Sequence, residues 1–172
     1  MARNVEVKAR VRDIDALRRR VESLSDTAVV ILEQRDTFFV APRGRLKLRV
    51  LAPDRCELIY YERPDDAGAK LSEYFIVRSE DPETFLRVLT AALGVRGVVA
   101  KRRFLYLIGR TRVHLDEVEG LGTFVELEVV LDEGQTPEEG QAVAEKLLVD
   151  LGIEDGDRIS GAYIDLLEVG EG

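Results

Sequence analysis

Among its 172 residues the chain holds one cysteine, Cys56, and one histidine, His114. A single thiol rules out a disulfide framework within the chain and fits a reducing compartment. Neither residue has a nucleophile-and-relay pattern around it, and His114 reads as a hydrogen-bonding residue on a strand face. No apolar run is long enough to span a membrane, and the opening MARNVEVKAR passes straight into an alternating segment with no apolar signal region. A cytoplasmic location, with no membrane partner, is the expectation. A basic excess is missing too: 25 Lys and Arg face 33 Asp and Glu, for a net charge of −8. Surfaces that track nucleic-acid phosphates need exposed basic excess, so a nucleic-acid partner is not expected. Gly120-Leu121-Gly122 is followed by no helix start, which makes it a tight turn and not a phosphate-cradling loop. Tyr60 and Tyr61 read as packing residues with a polar tip.

With 45% hydrophobic and 34% charged residues the composition is that of a globular protein, and one domain over residues 1–172 is expected. A strand is predicted over 3–12, then a short helix capped by Asp13 with Ile14, Leu17, Val21 and Leu24 at helical spacing. Strands over 27–40 and 44–52 are joined by the turn Ala41-Pro42-Arg43-Gly44, and ELIYYER and LSEYFIVR supply two more. Asp81-Pro82-Glu83 opens a helix that Gly94 stops. Strands over 96–107, 110–118 and 122–132 precede a helix from Thr136 to Leu151, and Ala162–Glu168 makes a last helical turn or two. The fold class is α+β: an eight-stranded antiparallel sheet curled into a barrel, flanked by a few helices. Phe39, Gly44, Arg45, Lys47, Leu48 and Arg49 correspond, 65 residues on, to Phe104, Gly109, Arg110, Arg112, Val113 and His114. A true repeat of this kind would set two basic hairpins across from each other around one cavity.

Charged side chains occupy every second position in Asn4–Lys8, Arg45–Arg49, Lys101–Arg103, Arg112–Asp116 and Glu126–Glu128, with apolar residues between most of them. Because a strand sends successive side chains to opposite faces, each stretch gathers its charges on one face. That face is either the solvated side of an antiparallel sheet, laced with cross-strand ion pairs, or the inside of a closed one. So many strands behaving alike favour the inside, since a closed sheet has only one outside. Converging carboxylates suit an all-oxygen site for Mg²⁺ or Mn²⁺, and arginine forks with lysine point charges suit a polyphosphate.

These residues resemble the CYTH family, the triphosphate tunnel metalloenzymes, which includes class IV adenylate cyclases and thiamine triphosphatases. The resemblance runs through NVEVKAR, QRDTFF, PRGRLKLR, KRRFLY and RVHLDEVEGLGTFVELEVV to GAYIDLL, and VHLDEVEGLGTFVELE looks closest to the class IV cyclase-like branch. It implies an eight-stranded tunnel that binds a small-molecule triphosphate. Glu6, Asp116, Glu126 and Glu128 would hold Mg²⁺ or Mn²⁺. Lys8, Arg45, Lys47, Arg49, Lys101, Arg103 and Arg112 would grip the phosphates, with Arg63 as a further candidate and Lys8, Arg49 and Arg103 nearest the chemistry. Asn4 stands where the family's opening motif has its first glutamate, which bears on whether one metal is held or two. The expected activity is hydrolysis of the phosphoanhydride bond of tripolyphosphate, thiamine triphosphate or a nucleoside triphosphate. The alternatives are cyclisation of ATP to cyclic AMP, or binding of polyphosphate or nucleotide without catalysis. A homodimer is the family-level expectation.

Overall fold

The computed structural model describes residues 2–62 and 68–170. Strand β1 (Ala2–Arg10) leads into helix α1 (Ile14–Leu24), which starts where the Asp13 carboxylate accepts a hydrogen bond from the Ala16 N–H at 3.0 Å. Strands β2 (Val30–Phe39), β3 (Arg45–Ala52), β4 (Arg55–Glu62) and β5 (Lys70–Ser79) form a meander. Gly44 takes φ +59° in the β2–β3 turn, and a Cβ there would lie 2.8 Å from the Tyr61 carbonyl. Only glycine fits that corner.

Helix α2 (Pro82–Leu93) has the Asp81 cap, the first-turn proline and the Gly94 stop that the sequence predicts. Then come β6 (Val95–Ile108), β7 (Thr111–Val118), β8 (Gly122–Val130) and helix α3 (Pro137–Asp150), which opens on a reciprocal Thr136–Glu139 capping box. A two-residue strand β9 (Arg158–Ile159) and helix α4 (Tyr163–Gly170) end the described chain.

All strand pairings are antiparallel, and the order β5-β4-β3-β2-β6-β7-β8-β1 closes through β1–β5 into an eight-stranded barrel. Among the described residues four helices flank it. The closure uses only part of β1. Ala2–Glu6 pair with β5, whereas Lys8 and Ala9 pair with β9, which takes over where β5 diverges. This ninth strand has no counterpart among the expected elements: two residues carry too little periodicity to be read from sequence.

The hairpins β2–β3 and β6–β7 do not lie across a cavity from each other, as a repeat would have placed them. A ladder from Val30↔Leu105 to Phe39↔Val95 makes β2 and β6 hydrogen-bonded neighbours, so the two hairpins stand side by side in one wall.

Strand parity sorts the side chains. Outward-facing Val5, Val7, Ala9, Leu115, Leu127 and Val129 are buried under α1 and α3. Gly140 lets α3 approach, since a Cβ there would stand 2.8 Å from Val5 Cγ2 and 2.6 Å from Leu131 Cδ2. Helix α2 covers Phe39, Leu48 and Cys56 on β2–β4. Inside the barrel at one end, Phe38, Ile59, Tyr61, Val99 and Phe124 pack against Ala162, Tyr163 and Ile164, so α4 plugs that end. No helix among the described residues is long and apolar enough to cross a membrane.

Candidate functional site

Above this apolar plug the barrel encloses a cavity of about 620 Å³ lined by charge. Among the described residues its walls carry seven cationic side chains (Lys8, Lys47, Arg49, Arg78, Lys101, Arg103, Arg112) and five carboxylates (Glu6, Asp36, Glu57, Glu126, Glu128). A larger, open groove of about 830 Å³ lies outside on β2, β3, β6 and β7. Its Arg102 is already paired with Glu33 at 2.6 Å, and it gathers no comparable set.

Two buried aspartates organise the cations. Asp36, 1% exposed, accepts from Nε and Nη2 of Arg49, each at 2.8 Å, and lies 3.2 Å from Lys47 Nζ and 3.6 Å from Lys101 Nζ. Burial pushes its carboxyl upward, but the three cations outweigh that and hold it well below the usual aspartate range. Burial and the neighbouring arginines lower both lysines, Lys101 strongly. Asp116, fully buried, accepts from Arg103 Nε and Nη2 at 2.8 Å each and from the Tyr163 hydroxyl at 2.7 Å. Arg103 more than offsets the burial of Asp116 and depresses its titration. Each arginine is therefore locked as a bidentate fork, oriented before any ligand arrives.

Three further acids, Glu6, Glu126 and Glu128, occupy β1 and β8. Glu6 stands opposite Glu128 in the ladder, and Lys8 opposite Glu126. On the other side of β8, Arg112 faces Glu128 and His114 faces Glu126. Lys8 Nζ lies 3.5 Å from Glu126 Oε2 and 3.8 Å from the centre of the Tyr163 ring, a cation–π contact. Burial raises Glu126, but Lys8, His114 and Arg103 outweigh it, so the group is ionised. Burial and Arg103 lower His114, keeping its imidazole neutral near pH 7. His114, Glu126 and Glu128 bring one ligand atom each within 4.8 Å of one another, a group that could hold a metal ion.

Two buried polar atoms on this wall have no hydrogen-bond partner, His114 Nδ1 and Asn4 Oδ1. Orphaned buried polar atoms are uncommon. With Glu126 and Glu128 beside the imidazole, the donor set fits a divalent cation.

Of the residues expected from sequence, Glu6, Lys8, Lys47, Arg49, Lys101, Arg103, Arg112, Glu126 and Glu128 line the one cavity. Arg112 sits at its rim with its side chain 53% exposed. Asp116 lies behind Arg103 with its oxygens engaged as described. Arg45 points elsewhere: its Nη2 meets Asp165 of α4 at 2.7 Å, where Arg96 also binds Asp165 and Glu168. Arg63 lies outside the described residues.

Sequence reasoning missed Asp36, Glu57, Arg78 and Tyr163. Asp36 shares parity with Gln34 and Phe38, so extending the alternation argument into QRDTFF would have found it. Tyr163 carries no such signal, because its entry into the barrel depends on where α4 docks.

A model of the CYTH domain matches residues 2–163. The chain belongs to the CYTH family. It is 27% identical to adenylate cyclase CyaB of Aeromonas hydrophila over 176 residues, covering 95% of this chain and 88% of CyaB. Among solved structures, the PH1012 protein of Pyrococcus horikoshii OT3 is similar at 29% identity and TM-score 0.82, covering 95% of this chain and 98% of that one. The Hippeastrum protein HpAC1, described as a putative adenylyl cyclase with dominant triphosphatase activity, shares the fold at 20% identity and TM-score 0.63, covering 97% of this chain and 96% of that one.

Proposed function

We propose that this CYTH protein is a divalent-metal-dependent enzyme that cleaves a phosphoanhydride bond in a small triphosphate-bearing molecule. The observation that carries this reading is the division of the cavity wall. Pre-oriented cations on β1, β3 and β6 face a carboxylate-rich arc on β1 and β8. Asp36, Asp116 and Glu126 absorb much of the positive charge, so the cavity is close to neutral by itself. A triphosphate needs more positive charge than that. A cation held by Glu6, Glu126 and Glu128 would supply it by binding phosphate oxygens and offsetting the charge that develops on them.

In this reading Lys8, Arg49 and Arg103 contact the phosphates, with Lys47 and Lys101 extending the grip toward the α4 plug and Arg112 toward the mouth. Arginine forks fix the oxygens in direction, and the lysines add point charge without geometric demand. Asp116 orients Arg103 in place of binding metal, because Arg103 and Tyr163 engage both its oxygens. Since α4 closes one end, substrate enters and product leaves by the opposite mouth.

Hydrolysis is favoured over cyclisation because water needs no oriented sugar, whereas cyclisation needs a ribose hydroxyl aligned with the α-phosphate. The likeness to CyaB favours cyclisation as the second reading. Tripolyphosphate, thiamine triphosphate and ATP, each with Mg²⁺ or Mn²⁺, should be assayed for phosphate release and for cyclic AMP. Phosphate release is expected. Cyclic AMP as the dominant product would select the second reading, and tight tripolyphosphate binding without turnover in either metal would sink both.

A further inference from the structure

We propose that His114 is itself a ligand of the divalent cation, its Nδ1 joining Glu126 and Glu128 in a mixed nitrogen-and-oxygen site that prefers Mn²⁺ to Mg²⁺. The inference rests on the metal-dependent reading above and departs from the all-carboxylate ligand set expected from sequence.

Three observations carry it. The ligand atoms of His114, Glu126 and Glu128 lie within 4.8 Å of one another. Ligands on opposite sides of an ion with bonds of about 2.1 Å are about 4.2 Å apart, so small side-chain movements bring all three into reach. Second, His114 is only 4% exposed, yet its Nδ1 has no hydrogen-bond partner. Glu126 Oε1 stands 3.5 Å from it, beyond normal N–H···O length. A buried ring nitrogen 3.5 Å from the Glu126 carboxylate, too far for a strong bond to it, can offer its lone pair to a cation when the ring proton sits on Nε2. Third, the ladder places His114 directly opposite Glu126, so β7 and β8 present imidazole and carboxylate side by side on a rigid wall.

The choice of metal follows from donor chemistry. Mg²⁺ favours all-oxygen surroundings and keeps its waters, whereas an imidazole nitrogen suits first-row transition ions. Replacing one oxygen donor by nitrogen therefore penalises Mg²⁺ more than Mn²⁺. Asn4, 2% exposed with its Oδ1 also unpartnered, lines the same cavity and adds a neutral oxygen where a carboxylate would have strengthened Mg²⁺ binding.

Because His114 is the only histidine in the chain, the test has an unambiguous probe. Untagged full-length protein is loaded with Mn²⁺ and studied by pulsed electron paramagnetic resonance, with natural-abundance and ¹⁵N-labelled histidine. Nitrogen coupling to Mn²⁺ that changes isotope pattern on labelling is expected. His114→Gln should lose the coupling and bind Mn²⁺ about tenfold more weakly or worse, with Mg²⁺ affinity changed less than about threefold. Its melting profile in chelator checks that it folds, and the labelled native protein gives the answer without it. Mn²⁺ binding without nitrogen coupling, no Mn²⁺ binding, or an unaltered Mn²⁺/Mg²⁺ ratio in a folded variant would each overturn the inference. Turnover without coupling would defeat the inference and leave the enzymatic reading standing; coupling without turnover of any triphosphate would do the reverse.

Discussion

Asp36→Asn isolates the electrostatic design of the cavity. The substitution keeps the shape of the side chain and removes the one negative charge that Arg49, Lys47 and Lys101 share at 2.8, 3.2 and 3.6 Å. All four groups are largely buried, so water cannot take over the compensation. Removing one partner from a buried ion pair costs about 3–5 kcal/mol, because the remaining charge stays desolvated and unpaired. For a chain of this size 1 kcal/mol corresponds to roughly 2–4 °C, which places the expected fall in melting temperature at roughly 6–20 °C. The penalty should depend on pH in a definite direction. Without Asp36 the lysines are pushed further below their unfolded values, so raising the pH neutralises them in the folded state and relieves the repulsion. Tripolyphosphate should restore more stability to the variant than to the native protein, since the anion replaces the missing charge. The assay is thermal unfolding at neutral and at alkaline pH, with and without tripolyphosphate. A melting temperature within about 2 °C of the native value at neutral pH would refute the reasoning, because the cations would then not depend on Asp36.

Three other expectations follow from the same geometry. Glu126→Gln should abolish metal-dependent turnover while preserving the circular dichroism spectrum; full activity would mean that Glu126 is not part of the metal site. Asp36 and Asp116 both titrate below their unfolded values near 3.9, so their contribution is present above that value and is lost as pH falls through the folded ones. Melting temperature should therefore drop steeply below about pH 4, and a flat profile from about pH 5 to pH 2 would contradict the buried pairs. Gly140→Ala gains helix propensity of about 1 kcal/mol yet should lower stability by about 1–2 kcal/mol in denaturant titrations, because Val5 and Leu131 leave no room for a methyl group. A stabilised variant would show that both neighbours yield.

Sequence alternation located most of the candidate site because strand parity is local. In Arg45–Arg49, positions 47 and 49 must share a face whatever the barrel does, and the same holds for Lys101 with Arg103 and for Glu126 with Glu128. Helix starts at Asp13, Asp81 and Thr136 were legible for a similar reason, since a cap acts within three residues. Parity, however, fixes only which residues share a face. It does not fix how far each lies along the barrel axis. Arg45 has the parity of Lys47 and Arg49, yet the close of the barrel carries it past the cavity to Asp165.

What the chain alone determined is the set of charged faces and the elements that bear them, because both follow from backbone geometry over a few residues. The tertiary structure decided which of those charges meet. Asp116 became the anchor of Arg103 and Tyr163, Asp36 became the shared counter-ion of three cations, and His114 came to stand beside two glutamates. Those meetings are set by cross-strand register and by the docking of α4, which join residues as far apart in the chain as Asp36 and Lys101. No local pattern encodes such distances, because they arise only when the sheet closes on itself.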